Sequence, residues 1–176
     1  MSHRLLPGWF PAAWAAAMLT HAHLAVSAPV DPLTQITCRM SVPAKVRAGS
    51  PVQLTFELGN KSKKAIYALN WNTPLEGFFG RYLTVTGPQG EVEYGGAMVK
   101  RALPRREEYV ILPPGGKVAK AVDLAKAYEL KTPGKYRIEF AGRIADATTG
   151  KIPRSFEQQT AADIDCAPVT LEITAR

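Results

Sequence analysis

Histidine is nearly absent from this sequence, and the positions of the few that occur exclude whole classes of catalysis. All three histidines of the 176-residue chain, His3, His21 and His23, lie close to its N-terminus. The rest of the chain cannot form a Ser-His-Asp or Cys-His catalytic arrangement. It also cannot form a zinc site that uses histidine, including the H-E-x-x-H helix.

Cysteine is equally scarce, with Cys38 and Cys166 as the two in the sequence. In an exported protein such a pair is expected to form a disulfide, which would leave no thiolate for catalysis or metal binding. Closing so long a loop would stabilise the fold by about 4–5 kcal/mol through the entropy of the unfolded chain. We predict a Cys38–Cys166 disulfide, with two free thiols as the alternative.

A long uninterrupted apolar run is missing from the N-terminal region, although that region differs from the remainder. Arg4 is its one formal side-chain charge, a small-residue apolar run follows at 14–19, and residues 26–28 (VSA) offer a small-residue cleavage site. The apolar part is shorter than the roughly 20 residues that a membrane span needs. We predict a signal peptide over residues 1–28, with a membrane anchor as the alternative. Cleavage would leave one exported domain over residues 29–176, periplasmic or secreted, with no membrane span.

Acidic residues are fewer than basic residues in this sequence, with 15 Asp and Glu against 22 Lys and Arg. Of the 22 Lys and Arg residues only Arg4 lies in the predicted leader, so the formal charge of +7 would become about +6 in the mature chain. A basic balance favours acidic partners or surfaces. We interpret the basic clusters as loop residues that protect strand edges, and we expect no nucleic-acid partner; an anionic surface is the alternative. The clusters are Lys61, Lys63 and Lys64, and Lys100, Arg101, Arg105 and Arg106.

Long helical patterns are also absent, and short alternating segments separated by turns take their place. Val52, Leu54, Phe56 and Leu58 alternate with polar residues, which is typical of a half-buried strand. Eight or nine such segments predict an all-β fold, an Ig/fibronectin-like antiparallel β-sandwich with one disulfide. Tyr136 follows a Pro-Gly turn, where Greek-key sandwiches place a tyrosine corner.

Carboxylates are the main catalytic groups that remain. Glu107 and Glu108 are adjacent, and Asp163 and Asp165 lie two positions apart. Either pair could serve as an acid and base or as part of a calcium site. We favour solvated loops for both, and we expect no catalytic residue, no metal site and no cofactor.

One stretch, residues 70–82, is too aromatic for an ordinary loop and too broken for a strand. We predict that it forms a preformed binding surface, because Trp, Tyr and Arg often dominate interface energies. Pro74 and the glycines would fix its shape. The alternative is that Trp71 is the buried strand tryptophan of the sandwich and that the two phenylalanines cap the core. The predicted binding residues are Trp71, Phe78, Phe79, Arg81 and Tyr82.

The segment 71–77 (WNTPLEG) also carries a family likeness. It resembles the β-sandwich domain that precedes the catalytic domain in deuterolysin-like, lysine-specific zinc metalloendopeptidases. The likeness spans about residues 40–141 and lacks the protease half, so the resemblance implies a free-standing accessory domain with no catalytic residues to carry over. Further similar blocks are residues 99–101, 108–110, 112–115, 122–124, 127–130 and 133–136.

Together these features favour an exported, non-catalytic module that binds another protein. A secreted protease is the preferred partner, as the target of an inhibitor or the client of a pro-domain-like chaperone. A carbohydrate- or cell-envelope-binding module is the alternative, because exposed rings on a sandwich also stack on glycans. A hydrolase that uses carboxylates alone is a third possibility.

Overall fold

The structure, a computed structural model, describes residues 31–175 and is almost entirely β within them. The predicted signal peptide, residues 1–28, lies outside the described residues. Among residues 31–175 there are eleven strands and four short 3-10 turns, and no longer helix. The strands are β1 Ile36–Ser41, β2 Lys45–Arg47, β3 Gln53–Asn60, β4 Ile66–Leu69, β5 Leu83–Gly87, β6 Gly90–Glu91, β7 Tyr109–Leu112, β8 Lys117–Asp123, β9 Gly134–Phe140, β10 Ala147–Thr148 and β11 Val169–Thr174. The 3-10 turns are Pro32–Gln35, Arg106–Glu108, Leu124–Lys126 and Phe156–Gln158.

The alternation in β3 has the predicted consequence. Leu54, Phe56 and Leu58 are fully buried, while the residues between them are half-buried. Burying each of these side chains contributes about 1.5–3 kcal/mol. β3 is the centre of a sheet in the order β1-β3-β8, and both neighbours pair with it in antiparallel register.

A larger sheet in the order β2-β11-β9-β5-β6 completes the sandwich. Phe56 of the first sheet and Phe140 of the second lie in the shared core with ring centroids 5.3 Å apart. The all-β sandwich prediction is confirmed, with one exception to its antiparallel character. β2 pairs with β11 in parallel. The chain leaves the first sheet before Pro43, which has no N–H to donate to a ladder.

The predicted disulfide is also confirmed. Cys38 on β1 is bonded to Cys166 just before β11, with Cα atoms 4.9 Å apart and 128 positions between them in sequence. The bridge therefore joins the edge of one sheet to the approach of a strand in the other. Elsewhere in the sandwich, the Tyr136 hydroxyl donates a 2.8 Å hydrogen bond to the Thr132 carbonyl upstream, as a tyrosine corner requires.

A third sheet, in the order β10-β4-β7, contributes residues to two hydrophobic clusters. Ile66 and Ala68 of β4 belong to the main core, whereas Leu69 and Trp71 pack with Tyr109 in a second, smaller cluster. The segment 142–165 contributes the side chains of Ala145 and Ile152 to this second cluster, and it contains the strand β10. Trp71 is thereby held in a fixed position at the end of β4.

A fully buried carboxylate lies beside the second cluster. Asp146 accepts a 2.6 Å hydrogen bond from the Tyr109 hydroxyl and another of 2.6 Å from the Thr160 backbone N–H. Burial and the neighbouring Asp146 carboxylate raise the pKa of Tyr109 well above its ordinary value. The phenol therefore stays protonated and remains a donor at neutral pH.

Over residues 31–175, none of the helical turns has the length and apolar character needed to cross a membrane.

Candidate binding cleft beside the aromatic loop

The aromatic loop, residues 70–82, is held in shape by its own hydrogen bonds. The buried Thr73 hydroxyl donates to the Asn70 carbonyl at 2.6 Å, and the Leu75 N–H donates to the Thr73 hydroxyl oxygen at 3.2 Å. Pro74, between them, is buried. Asn72 adopts a φ of 54°, a left-handed conformation that asparagine tolerates better than most residues.

The four rings of the loop differ in exposure. Trp71 and Tyr82 are buried, at 6% and 1% exposure, and the Tyr82 hydroxyl donates to the Gly77 carbonyl at 2.8 Å. Phe78 is half-buried, stacked on Tyr82 at 5.8 Å between ring centroids and edge-on to Tyr128 at 6.2 Å. Phe79 is 46% exposed. Of the four predicted aromatic anchors, Phe79 is the most exposed.

Arg81, the predicted charged contact, is exposed. It forms an ion pair with Glu91 on β6. The binding roles of Trp71, Phe78, Phe79, Arg81 and Tyr82 stay predictions, since their placement does not test them.

A charged network fixes the exposed edge of Trp71. The indole Nε1 donates to Glu108 at 3.0 Å, and the Arg101 guanidinium carbon lies 4.9 Å from the centre of the Trp71 ring. One nitrogen of Arg101 donates to both carboxylate oxygens of Glu76, at 2.8 and 2.7 Å. The side chains of Arg101 and Glu76 are only 24% and 7% exposed, so water screens this ion pair weakly.

The two carboxylates of the network have opposite pKa shifts. Burial raises the pKa of Glu76, against the opposing effects of the Asn72 N–H and Arg101. Burial also tends to raise the pKa of Glu108. Hydrogen bonds from the Arg105 N–H and the Trp71 indole lower that pKa, as do the charges of Arg105 and Arg101, and the net result is a lowered pKa. The Glu108 carboxylate is therefore ionised at neutral pH and accepts hydrogen bonds. Both carboxylates are engaged inside the protein.

Around this network lies a cleft of about 670 Å³, which we call the Trp71 cleft. One wall is the aromatic loop, and the other is the irregular segment 99–105. Its mouth carries three apolar side chains that are exposed to solvent, Phe79, Val99 and Leu103. The residues that line the cleft are Asn70, Trp71, Leu75, Glu76, Phe79, Val99, Lys100, Arg101, Ala102, Leu103, Arg105, Glu108 and Lys120.

The two carboxylate pairs noted in the sequence lie in loops and a short 3-10 turn. Glu107 is exposed beside the engaged Glu108, and Asp163 and Asp165 are exposed near the end of the segment 142–165. Among residues 31–175, no group of three or more His, Cys, Asp or Glu side chains could hold a metal ion.

Sequence reasoning missed one wall of the cleft. Residues 97–103 have no strand or helix periodicity, and Arg101 gave no sign that it would pair with a carboxylate 25 positions away. The signal that could have indicated this wall is its composition, since Met98, Val99 and Leu103 are apolar residues in a segment without strand pattern. All three are exposed.

No protein-family model matches the chain, and no curated protein shows significant similarity to it. The resemblance to the accessory domain of lysine-specific zinc metalloendopeptidases therefore stays a prediction.

Proposed function

We propose that this protein is an exported, non-catalytic β-sandwich that binds another protein through the Trp71 cleft. The observation that carries the proposal is the combination of a fixed, hydrogen-bonded wall with solvent-exposed apolar side chains at the mouth. A preformed wall lowers the ordering cost of binding. An exposed ring beside aliphatic side chains is typical of a surface that a partner covers.

A non-catalytic role is supported by the chemistry of the cleft. Glu76 is bound by Arg101, and Glu108 accepts hydrogen bonds from Trp71 and from the Arg105 backbone. Neither carboxylate is placed to take a proton from a substrate without first losing a structural partner. Export is supported by the disulfide, which persists in oxidising compartments.

The preference for a secreted protease as the partner rests on the resemblance of residues 40–141 to a protease accessory domain. An inhibitor and a pro-domain-like chaperone would both hold a protease at this surface. They differ in outcome, because an inhibitor lowers the activity of the mature protease and a chaperone raises the yield of active enzyme.

A carbohydrate- or cell-envelope-binding module is the second candidate. It is favoured by the basic residues of the cleft, which suit an acidic glycan. Against it, Phe79 is the one exposed ring at the mouth and its neighbours are the aliphatic Val99 and Leu103. A mixed apolar surface fits a protein side chain better than the flat face of a sugar.

The test is affinity capture from the exported fraction of the source cells with matched variants. Phe79→Ala removes the exposed ring at the cleft, and Phe156→Ala removes a ring of similar exposure that does not line it. We expect the unmodified protein and Phe156→Ala to retain the same protease and Phe79→Ala to lose most of it. Equal capture by all three proteins, or retention on immobilised glycan in place of protein, would contradict the proposal.

A further inference from the structure

The charges that line the Trp71 cleft are unbalanced. Four basic residues and two acidic residues contribute to its walls, and both acidic residues already have partners. Lys100 is exposed, and its side chain makes no hydrogen bond or ion pair with residues 31–175. An excess of two positive charges attracts carboxylates and repels basic segments.

Lys120, one of the four basic residues, reaches the cleft from an unusual position. β8 is an edge strand in the described part of the chain, and Val118 and Val122 on either side of Lys120 pack against the core. The Lys120 amine emerges at the cleft, where it donates to the Leu75 carbonyl at 2.9 Å. A charged residue on the inward side of an edge strand opposes strand-to-strand addition there, which favours the cleft over the β8 edge as the place where a partner docks.

The Asn70 side chain indicates what else the occupant carries. Asn70 lines the cleft, and its Oδ1 is buried and makes no hydrogen bond with residues 31–175. The Asn70 backbone is engaged separately, with its N–H donating to Glu108 O and its carbonyl accepting from Thr73. A carboxamide can both donate and accept, so a peptide unit is its natural complement.

We infer that the Trp71 cleft receives an extended acidic peptide segment. Its apolar side chain contacts Phe79 and Val99, one of its peptide units pairs with the Asn70 carboxamide, and its carboxylates face Lys100, Arg105 and Lys120. The inference rests on the proposed function and specifies the chemistry of the partner's contact segment.

The experiment titrates the purified protein, in the form the cell accumulates, into short labelled peptides and measures fluorescence anisotropy. The probe has Asp and Glu on both sides of a Leu-Phe pair. Three matched peptides replace the acids with Lys, replace the acids with Asn and Gln, or replace Leu-Phe with Ser-Ser. We expect binding to the first peptide that weakens with added salt, and at least tenfold weaker binding to the other three.

Variants locate the contact. Lys100→Glu should weaken binding of the acidic peptide about tenfold, and Asn70→Ala should weaken it about fivefold. Lys63→Glu makes the same charge change at an exposed lysine outside the cleft and should change binding less than twofold. Unchanged melting temperatures would show that each variant is folded.

The outcomes separate this inference from the proposed function. Phe79-dependent capture of a protein, together with no preference for the acidic peptide, would overturn the acidic chemistry and leave the binding function standing. Failure of both would overturn both. Tighter binding of a sulfated glycan than of the acidic peptide, lost in Lys100→Glu, would overturn the inference in favour of a glycan.

Discussion

Replacing Arg101 with Met should destabilise the protein by about 3 kcal/mol at neutral pH. The change removes two charge-assisted hydrogen bonds to the Glu76 carboxylate, whose side chain is 7% exposed. Together these two hydrogen bonds contribute about 2 kcal/mol to the free energy of unfolding. It also removes the guanidinium from the face of Trp71, which contributes about 0.5–1 kcal/mol. Methionine keeps much of the apolar stem, so lost packing adds little. The expected fall in melting temperature is about 10 °C.

The loss should depend on pH with a defined sign. Burial raises the folded-state pKa of Glu76 above its ordinary value of 4.5. Between 4.5 and that raised value the folded state binds more protons than the unfolded state, so the contribution of Glu76 to stability improves as pH falls. Without Arg101, the negative charge of the buried Glu76 carboxylate loses the positive charge that offsets its desolvation. The cost of Arg101→Met should therefore be largest at neutral pH and should shrink as the pH falls towards 4.5.

Urea unfolding followed by tryptophan fluorescence measures this change at the site itself, because Trp71 is the one tryptophan within residues 31–175. Adding Glu76→Gln to Arg101→Met should recover about half of the loss. Arg106→Met, at an exposed arginine without a side-chain hydrogen bond or ion pair in the described chain, should stay within about 0.5 kcal/mol of the unmodified protein. Equal effects of Arg101→Met and Arg106→Met, or no recovery in the double variant, would refute the reasoning.

Three further predictions concern the frame that holds the cleft. Replacing Cys38 and Cys166 with Ser should cost about 4–5 kcal/mol, because their loop spans 128 positions; a loss below about 1 kcal/mol in urea unfolding would contradict this. Tyr109→Phe should cost about 2 kcal/mol, because the buried Asp146 loses a donor, and an unchanged urea midpoint would count against a structural role for that bond. Tyr136→Phe should cost about 1 kcal/mol for its single bond to backbone, and differential scanning calorimetry should show a melting temperature lower by a few degrees.

The sandwich could be predicted from the sequence because its signals are local. The alternation through Val52, Leu54, Phe56 and Leu58 defines one face of β3 without knowledge of its neighbours. The Cys38–Cys166 pairing could be predicted from the number of cysteines together with the predicted export. β2 could not be found in this way, because a three-residue strand is defined by its partner β11 more than by its own pattern.

The aromatic loop was located by its composition, but the exposure of its rings could not be predicted. Trp71 lies beneath Arg101 because of contacts with Glu76 and Glu108, and Tyr82 is buried because the core closes over it. Such long-range contacts produce no periodic pattern in the sequence from which they could be predicted. The other wall of the cleft was missed for the same reason, since residues 99–105 have no regular structure.

The most direct test of the central claim, that a partner binds in the Trp71 cleft, is a ¹H–¹⁵N correlation spectrum recorded during titration with the acidic Leu-Phe peptide. If the peptide binds in the cleft, the Trp71 indole resonance and the backbone amides of Phe79 and Lys100 will shift together and saturate at one affinity. Shifts confined to residues outside the cleft, such as the turn at Gly115, with the Trp71 indole unmoved, would contradict that claim.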